Sequence, residues 1–402
     1  MGARPVIGNI EARRLFLDRH LLLRPEGGPG RGADLADVIG RLGFVQLDSV
    51  KTFARAHDLI LWSRRRQYRP AALNTSLKAR DLFEHWTHDA AAIPMEFYPH
   101  WRLKFDRDAA WLRARWSEWR RPGFIEQLDE VLRHVADHGA CTTRDVGRDE
   151  PKASGGWWDW HPSKTALEYL WRSGALAVCH REGFRKVYDL AERVVPAAYL
   201  EGRPDPDETV DWACGAALDR LGFGTSGEIG GFFEVATKAE AKGWCARALA
   251  AGEIEEVSII LHDGAERVVF ARPGIADEAR DLPPAPGRVR ILSPFDPALR
   301  DRARAERLWG FRYRIEIFVP EARRTYGYYV FPVMEGEAMI GRIDMTAKGA
   351  SETLDVRAFW PERGIRMGKG RMARLMAELE RAANFAGADN IDLHPGWLRD
   401  PA

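Results

Sequence analysis

Apolar and polar positions follow two different periods along this chain. In the first two thirds of the sequence, apolar side chains recur three or four positions apart, which predicts amphipathic helices. The clearest of these stretches are 9–22, 33–43, 122–139, 163–176, 207–224 and 237–254. After a Pro-rich linker at 281–288, apolar side chains recur at every second residue, which predicts strands. The predicted C-terminal elements are strands over 312–319, 325–334, 338–347 and 351–360 and a helix over about 366–386.

The order of the predicted elements repeats. Two helices precede a strand that begins at Phe44, and two helices precede a predicted two-stranded hairpin over 177–190. Further helices precede a hairpin over 255–271, which turns at Asp263 and Gly264. Helix, helix and two-stranded wing is the order of a winged-helix unit, a form of helix-turn-helix. The predicted fold class is therefore α+β, with tandem winged-helix units and a C-terminal antiparallel β-rich region.

This order divides the chain into four predicted segments. Residues 1–121, 122–204 and 205–285 are each predicted to form one winged-helix unit. Residues 286–402 are predicted to form the sheet and its terminal helix. A chain of 402 residues is long enough for several domains with sizeable cores.

Composition narrows the class of protein. Apolar residues make up 45% of the chain and charged residues 30%, which is typical of a globular protein. The 60 Lys and Arg residues nearly balance the 59 Asp and Glu residues, so a polyanionic partner requires a local basic cluster. Four widely separated cysteines form no local zinc or dithiol motif and suit a reducing compartment. Without a leader or a long apolar run, we expect a cytoplasmic protein that neither crosses nor binds a membrane.

The stretch "GFVQLDSV" carries the first candidate chemistry. In a strand, Val45 and Leu47 would face the core, and Gln46 and Asp48 would share the opposite face. The simplest interpretation of that face is contact with water, because exposed carboxylates are common. The alternative is a catalytic pair, since a carboxylate can accept a proton from water and an amide can both donate and accept hydrogen bonds.

Other candidate sites are weaker. His85 and His88 lie three positions apart on a predicted helix, but no third metal ligand follows from the spacing. The stretch "GIRMGKGRM" is one residue short of a phosphate loop, and Gly370 stands where Ser or Thr would hold magnesium. We therefore predict neither a metal site nor an organic cofactor.

Three clusters combine arginine with aromatic residues, at 62–70, 111–122 and 321–329. Arginine can pair with phosphates and aromatic rings can stack on bases, although any one cluster could equally be a solvated helix face. Together with the winged-helix order, the three clusters favour binding of nucleic acid. The residues predicted to contact DNA are Arg64, Arg65, Lys164, Arg185, Arg323 and Arg324.

Three stretches resemble the YcaQ/AlkZ family of bacterial DNA glycosylases, which is built from tandem winged-helix units. They are "GFVQLDSVKTFARAHDL" (43–59), "LFEHWTHDAAAIP" (82–94) and the long segment 292–345, which begins "LSPFDPALRDRARAERLWGF". The resemblance covers nearly the whole chain in order. Gln46-Leu47-Asp48 is similar to the Gln-x-Asp motif of the YcaQ branch, whereas the AlkZ branch has Gln-x-Gln.

The resemblance implies a monofunctional DNA N-glycosylase that removes N7-alkylated guanine and unhooks interstrand crosslinks. It implies catalytic roles for Gln46 and Asp48 and places His88 and Asp89 near the lesion. The implied partner is double-stranded DNA with alkylated or crosslinked guanine, bound by a monomer in the nucleoid. Arg342 and Asp344 would support a DNA-probing hairpin at Arg323 and Arg324.

Two other functions fit part of the pattern. A non-enzymatic winged-helix regulator would keep the basic clusters and would need nothing at Gln46 or Asp48. A scaffold that binds a protein through its C-terminal sheet would show no DNA affinity and little dependence on salt. Release of free 7-methylguanine from alkylated DNA separates the enzyme from both.

Overall fold

The computed structural model describes residues 4–119, 123–147, 161–348 and 353–401. Helices and strands are mixed along the chain, and the last third forms a sheet that is antiparallel except at one edge. The predicted α+β class is therefore confirmed. Among the described residues, no helix combines the length and the apolar character needed to cross a lipid bilayer.

The N-terminal segment contains a small three-stranded sheet in the order β2-β4-β3. Its elements are β1 (Val6–Ile7), α1 (Asn9–Arg19), α2 (Ala33–Leu42), β2 (Val45–Gln46), α3 (Ala56–Trp62), α4 (Ala71–Lys78), β3 (Leu82–Trp86), β4 (Ala90–Pro94) and α5 (Tyr98–Trp119), with a 3-10 helix at Met95–Phe97. The helix predicted around His85 is wrong, because residues 82–86 pair with β4 as a strand. The strand that carries the motif is also much shorter than predicted.

The second segment holds two helices followed by a hairpin. Its elements are α6 (Leu128–His138), α7 (Pro162–Arg172), β5 (Leu176–Glu182), β6 (Arg185–Leu190), α8 (Ala191–Val194) and α9 (Ala197–Glu201). The two strands pair with each other in an antiparallel sheet of their own. This order is compatible with a winged helix, and the division into units stays a prediction.

The third segment shares its sheet with the start of the chain. Its elements are α10 (Pro206–Leu221), β7 (Phe223–Gly224), α11 (Ser226–Phe233), α12 (Lys238–Ala250), β8 (Glu255–Ile260), β9 (Glu266–Ala271) and α13 (Ile275–Asp281). Helices α10, α11 and α12 each begin with a capping box, in which Asp or Thr and a Glu three positions later satisfy two backbone amides. Strand β1 pairs in parallel with β8, so the sheet order is β1-β8-β9-β7.

The C-terminal sheet has five strands in the order β10-β11-β12-β13-β14. Its segment contains β10 (Val289–Ile291), α14 (Pro297–Arg300), α15 (Arg302–Trp309), β11 (Val330–Glu335), β12 (Ala338–Lys348), β13 (Thr353–Pro361), α16 (Lys369–Ala386) and β14 (Asn390–Leu393), with a 3-10 helix at Glu321–Arg323. Neighbouring strands are antiparallel except β13 and β14, which pair in parallel. The strand predicted over 338–347 and the terminal helix are confirmed, and the strand predicted over 351–360 is confirmed from residue 353, since 351 and 352 lie outside the described residues.

The strand predicted over 312–319 is wrong, and the next strand begins only at Val330. Between them lies an irregular loop, residues 310–329, which carries the 3-10 helix. The Glu316 carboxylate accepts hydrogen bonds from the amides of Thr325, Tyr326 and Gly327, at 2.8–3.0 Å. Those amides are therefore satisfied by a side chain and not by a strand partner.

The catalytic motif predicted from the sequence lies where two hydrophobic cores meet. Phe44 belongs to a core built mainly from α1, α5 and the third segment. Val45 and Leu47 belong to a second core, which joins α2, α3 and α4 to the C-terminal sheet and α16. Consecutive residues are thus anchored on both sides of the boundary, which fixes the backbone between them.

Candidate active site

Gln46 is buried, with 3% of its surface exposed. Its strand pairs with β4, opposite Ala91, and the Leu47 amide donates to the Ala90 carbonyl at 2.7 Å. Val45 and Leu47 are buried as the alternation predicted, but the turn before β4 covers the opposite face as well. Contact with water is therefore excluded as the explanation for Gln46.

A directional chain of hydrogen bonds fixes the Gln46 amide. Arg300 Nη1 lies 3.0 Å from His88 Nδ1, and because a guanidinium only donates, the imidazole proton must lie on Nε2. That proton is donated to Gln46 Oε1 at 3.1 Å, and Gln46 Nε2 donates to Asp89 Oδ2 at 3.1 Å. Burial, with Arg300 nearby, lowers the pKa of His88 to about 3, so the ring stays neutral. We call Arg300, His88, Gln46 and Asp89 the amide relay.

The donor end of the amide relay is held by a short helix. The Asp296 carboxylate caps α14 by accepting from the Ala298 amide at 3.0 Å, and Arg300 is the last residue of that helix. Asp296 also forms a two-pronged ion pair with Arg64, and both side chains are completely buried. The buried Arg64–Asp296 pair thus holds helix α14, and with it Arg300, in position.

Asp48 lies just beyond the end of β2 and is partly exposed. Its Oδ1 atom accepts from the Val50 amide at 2.7 Å, and its own amide lies 3.5 Å from His57 Nδ1. Among the described residues, no side chain or amide donates a hydrogen bond to Oδ2. Burial raises the pKa of Asp48, the Val50 amide opposes that effect, and the negative charge of Asp89 adds to it.

The hairpin of the second segment reaches this site. Its tip residue Phe184 stacks on His57, with ring centroids 5.9 Å apart. Arg55 and Arg181 place their guanidinium groups over the same phenyl ring, at 5.1 and 4.2 Å. Burial lowers the pKa of His57 to about 3, helped by both arginines, so this ring is neutral too. The hairpin therefore forms one wall beside Asp48.

The sequence predictions for His88 and Asp89 can now be compared with their positions. Both lie in the turn between β3 and β4 and contact Gln46 directly. His85 points elsewhere, between Phe105 and Trp171, with centroids 4.8 and 5.3 Å away. The two histidines are therefore not brought together as a metal-binding pair.

Two of the predicted DNA contacts form ion pairs within the protein. Arg64 is completely buried in its pair with Asp296, and it also donates to the His20 carbonyl at 3.1 Å. Arg65 is mostly buried and donates to Asp34 at 2.9 Å. Both arginines hold the fold together, and Arg64 has no surface with which to reach a phosphate. The prediction of a DNA contact is corrected for Arg64.

The other four predicted DNA contacts range from half-buried to exposed. Lys164 and Arg185 are half-buried, and Arg185 directly follows the hairpin tip. Arg323 is exposed on the 310–329 loop. Arg324 donates to the Val319 carbonyl at 2.8 Å and lies 5.1 Å from the ring of Tyr328. Arg120 and Arg121, from the second basic cluster, lie outside the described residues.

The 310–329 loop is exposed and basic. Phe318 is 90% exposed, an unusual position for a large apolar side chain. Next to the loop is a cavity of about 930 Å³, which Arg312, Arg314 and Arg363 line from the exposed side. The loop is not the predicted hairpin, because residues 312–329 form no strand ladder. Arg342 and Asp344 lie in β12 behind it.

Sequence reasoning missed Arg300, His57 and the hairpin tip as parts of the site. Arg300 and His57 both fall inside the stretches that carried the family resemblance, at 292–345 and 43–59. Their types alone gave no reason to single them out, because arginine is abundant and one histidine defines no chemistry. Phe184 had no signal beyond its place in the hairpin predicted over 177–190.

Comparisons with a family profile and with solved structures identify the family of this chain. The profile of a family described as DNA glycosylase AlkZ-like matches residues 39–385, which is most of the chain. Among solved structures, the Streptomyces sahachiroi DNA glycosylase AlkZ is similar in fold over all of both chains, with a TM-score of 0.64 and 18% sequence identity. The matched segment contains every member of the amide relay together with Asp48. The chain therefore belongs to the AlkZ-like family of DNA glycosylases.

Proposed function

We propose that this glycosylase hydrolyses the N-glycosidic bond of N7-alkylated guanine and unhooks interstrand crosslinks formed at that position. One observation carries the proposal. A partly buried carboxylate, Asp48, has an oxygen that receives no hydrogen bond from the part of the chain that the structure describes, and it stands beside an amide that is held rigidly.

Excision of N7-alkylguanine requires little more than a carboxylate and a polar group of fixed orientation. N7-alkylguanine is positively charged, so the base can leave without a strong general acid. The sugar that remains develops positive charge at C1′, and the Asp48 carboxylate stabilises it electrostatically. The same carboxylate accepts a proton from the attacking water, whose oxygen forms the new bond to C1′. The electrons of the broken C1′–N9 bond neutralise the departing purine.

Gln46 presents a polar side chain whose orientation is fixed. Its carbonyl oxygen is occupied by His88, and one of its two N–H groups is occupied by Asp89. Among the described residues, the second N–H has no hydrogen-bond acceptor, and it is left to contact the sugar. An amide whose orientation is already set avoids reorganisation when the transition state forms.

DNA would bind across the hairpin tip and the 310–329 loop. We expect Lys164, Arg185, Arg312 and Arg323 to contact phosphates, and exposed Phe318 supplies a ring that can stack on or wedge between bases. A site at the surface is compatible with a crosslinked base, which cannot be fully flipped away from the opposite strand. A single chain is enough for this arrangement, so we propose a monomer on double-stranded DNA.

The test is excision from duplex DNA that bears N7-methylguanine, with a guanine–guanine crosslinked duplex in parallel. We expect the wild-type protein to release the free base and to unhook the crosslink. Asp48→Asn should lower the single-turnover rate constant about 10²- to 10⁴-fold while leaving DNA affinity unchanged. Asp37→Asn, on the surface of α2, is the matched control and should behave as wild type.

The outcomes separate the candidate functions. Equal excision by Asp48→Asn and the wild type would remove Asp48 from the mechanism. If the wild-type protein binds the duplex and releases no base from either substrate, the non-enzymatic DNA-binding function is the better explanation.

A further inference from the structure

Glu84, in the middle of β3, has a carboxylate side chain that is completely buried. Arg181 on β5 lies 97 positions further along the chain and donates two hydrogen bonds to this carboxylate, at 2.8 and 2.6 Å. Lys186 on β6 lies 3.9 Å from the same carboxylate. A buried carboxylate is costly unless cations lie close to it, so Glu84 binds both strands of the hairpin to β3.

Arg181 connects this buried carboxylate to the hairpin tip. Its Nη1 atom donates to the Phe184 carbonyl at 2.6 Å, and its guanidinium carbon lies 4.2 Å from the centroid of the Phe184 ring. Only 10% of the Arg181 side chain is exposed. One planar guanidinium therefore binds a carboxylate, a carbonyl and an aromatic ring at the same time, which fixes the tip relative to β3.

The tip residue in turn reaches the backbone of Asp48. The Phe184 ring stacks on the His57 ring, with centroids 5.9 Å apart and an angle of 19° between the planes. His57 Nδ1 accepts a long hydrogen bond from the Asp48 amide, at 3.5 Å. A series of direct contacts thus leads from a buried ion pair to the candidate catalytic carboxylate. We call Glu84, Arg181, Phe184 and His57 the hairpin clamp.

We propose that Arg181 is a positioning residue of this glycosylase, which holds Asp48 in place through the hairpin clamp. Among the described residues, the ladder between β2 and β4 ends at Gln46, so Asp48 lies beyond the part of its strand that the sheet fixes. A shift of about 1 Å in a reacting group can cost a large factor in rate, so the hydrogen bond from the Asp48 amide to His57 matters for catalysis. Arg181 itself contacts neither the substrate nor the reacting atoms. This inference rests on the proposed function and adds to it.

The test is Arg181→Met, which removes the ion pair and the bond to the Phe184 carbonyl but keeps an unbranched side chain. Single-turnover excision of N7-methylguanine from duplex DNA is measured over a range of protein concentrations. We expect the maximal rate constant to fall about 10- to 100-fold, because Asp48 is no longer held in position. The half-saturating protein concentration should not change, because Arg181 is too buried to contact DNA.

Phe184→Leu is the second variant, and it decides the test if Arg181→Met does not fold. It leaves the ion pair between Arg181 and Glu84 intact and removes only the ring that stacks on His57. We expect the maximal rate constant to fall in this variant too, again without a change in the half-saturating concentration. A folded Phe184→Leu protein with the wild-type rate constant would overturn the proposal.

Arg172→Met is the matched control. Arg172 on α7 has 9% of its side chain exposed and donates twice to Asp108 on α5, at 2.9 and 2.8 Å. Its guanidinium lies over Trp86 and not over the hairpin tip. The melting temperature should fall about as much as in Arg181→Met, whereas the rate constant of the folded protein should stay at the wild-type value. An equal loss of rate in Arg172→Met would overturn the proposal, because the rate would then follow stability alone.

A double variant completes the design. If Arg181 acts through Asp48, Arg181→Met should cause almost no further loss of rate in the Asp48→Asn protein. A further loss of about tenfold in the double variant would overturn the positioning role and leave the glycosylase function in place. Wild-type protein that releases no base from either substrate overturns the proposed function itself.

Discussion

The two polar residues of the motif are only two positions apart, yet their surroundings differ completely. Gln46 is enclosed, and partners at both ends of its amide fix its orientation. Asp48 is partly exposed, and one of its oxygens has no hydrogen-bond donor within the described ranges of the chain. The difference suggests that the two residues have separate roles. The amide relay keeps the Gln46 side chain in one orientation, and Asp48 is the reactive group. Residues that are fully satisfied stabilise the site, whereas an incompletely satisfied group is free to bind a reactant.

The largest expected effect comes from removing the support beneath the amide relay. Arg64→Met leaves the Asp296 carboxylate buried without its countercharge, which should cost about 3–5 kcal/mol of unfolding free energy. Urea unfolding measures the loss. Adding Asp296→Asn should recover part of it, because the uncompensated charge is then removed. Full stability of Arg64→Met would contradict the structural role.

Two isosteric substitutions test the difference between Gln46 and Asp48 directly. Gln46→Glu replaces the N–H that faces Asp89 with an oxygen, so two acceptors meet and about 3 kcal/mol of stability should be lost. Asp48→Asn should keep or slightly increase stability, because burial raises the pKa of Asp48 and thus already disfavours its charged form. Thermal unfolding of both variants at pH 7 tests this. Equal losses of stability in the two variants would mean that residues 46 and 48 have similar surroundings.

Acid should weaken the amide relay through His88. Its pKa is about 3 in the folded protein, below the ordinary value of 6.5, so the unfolded chain binds more protons between these values. Stability from this residue is therefore complete above pH 6.5 and falls as the pH drops toward 3. Between pH 7 and pH 5 the expected loss is about 2 kcal/mol.

His88→Gln provides the control for that titration. A glutamine can still accept from Arg300 and donate to Gln46, but it does not titrate. The difference in unfolding free energy between pH 7 and pH 5 should be smaller in this variant by the amount assigned to His88. An identical pH dependence in both proteins would show that folding does not shift the pKa of His88.

The smallest expected effect lies on the 310–329 loop. Arg323→Gln removes one exposed charge, so duplex affinity should fall only a few-fold, and the slope of log affinity against log salt should decrease by about one. Fluorescence anisotropy at several salt concentrations measures both. Arg280→Gln, an exposed arginine on α13 paired with Asp277, should change neither. A similar loss in both variants would point to a general charge effect.

Much of the site could be predicted from the sequence, but its interior could not. The alternation around "VQLD" correctly buried Val45 and Leu47 and selected Gln46 and Asp48 as one pair. It could not show that Gln46 is covered as well, because β4 and its turn come from residues more than forty positions away. The same limit applies to Arg64, whose type predicted a DNA contact although its partner, Asp296, lies 232 positions further along the chain.

Local signals determined the helices and most strands of this protein. Periodicity and capping residues act within a few positions, so they are visible in the sequence. Only the tertiary structure decided which polar groups are paired, since a hydrogen bond depends on atoms brought together from distant segments. Arg300, His88 and Gln46 become one relay only after the two cores have packed, and that packing leaves the Asp48 carboxylate incompletely paired.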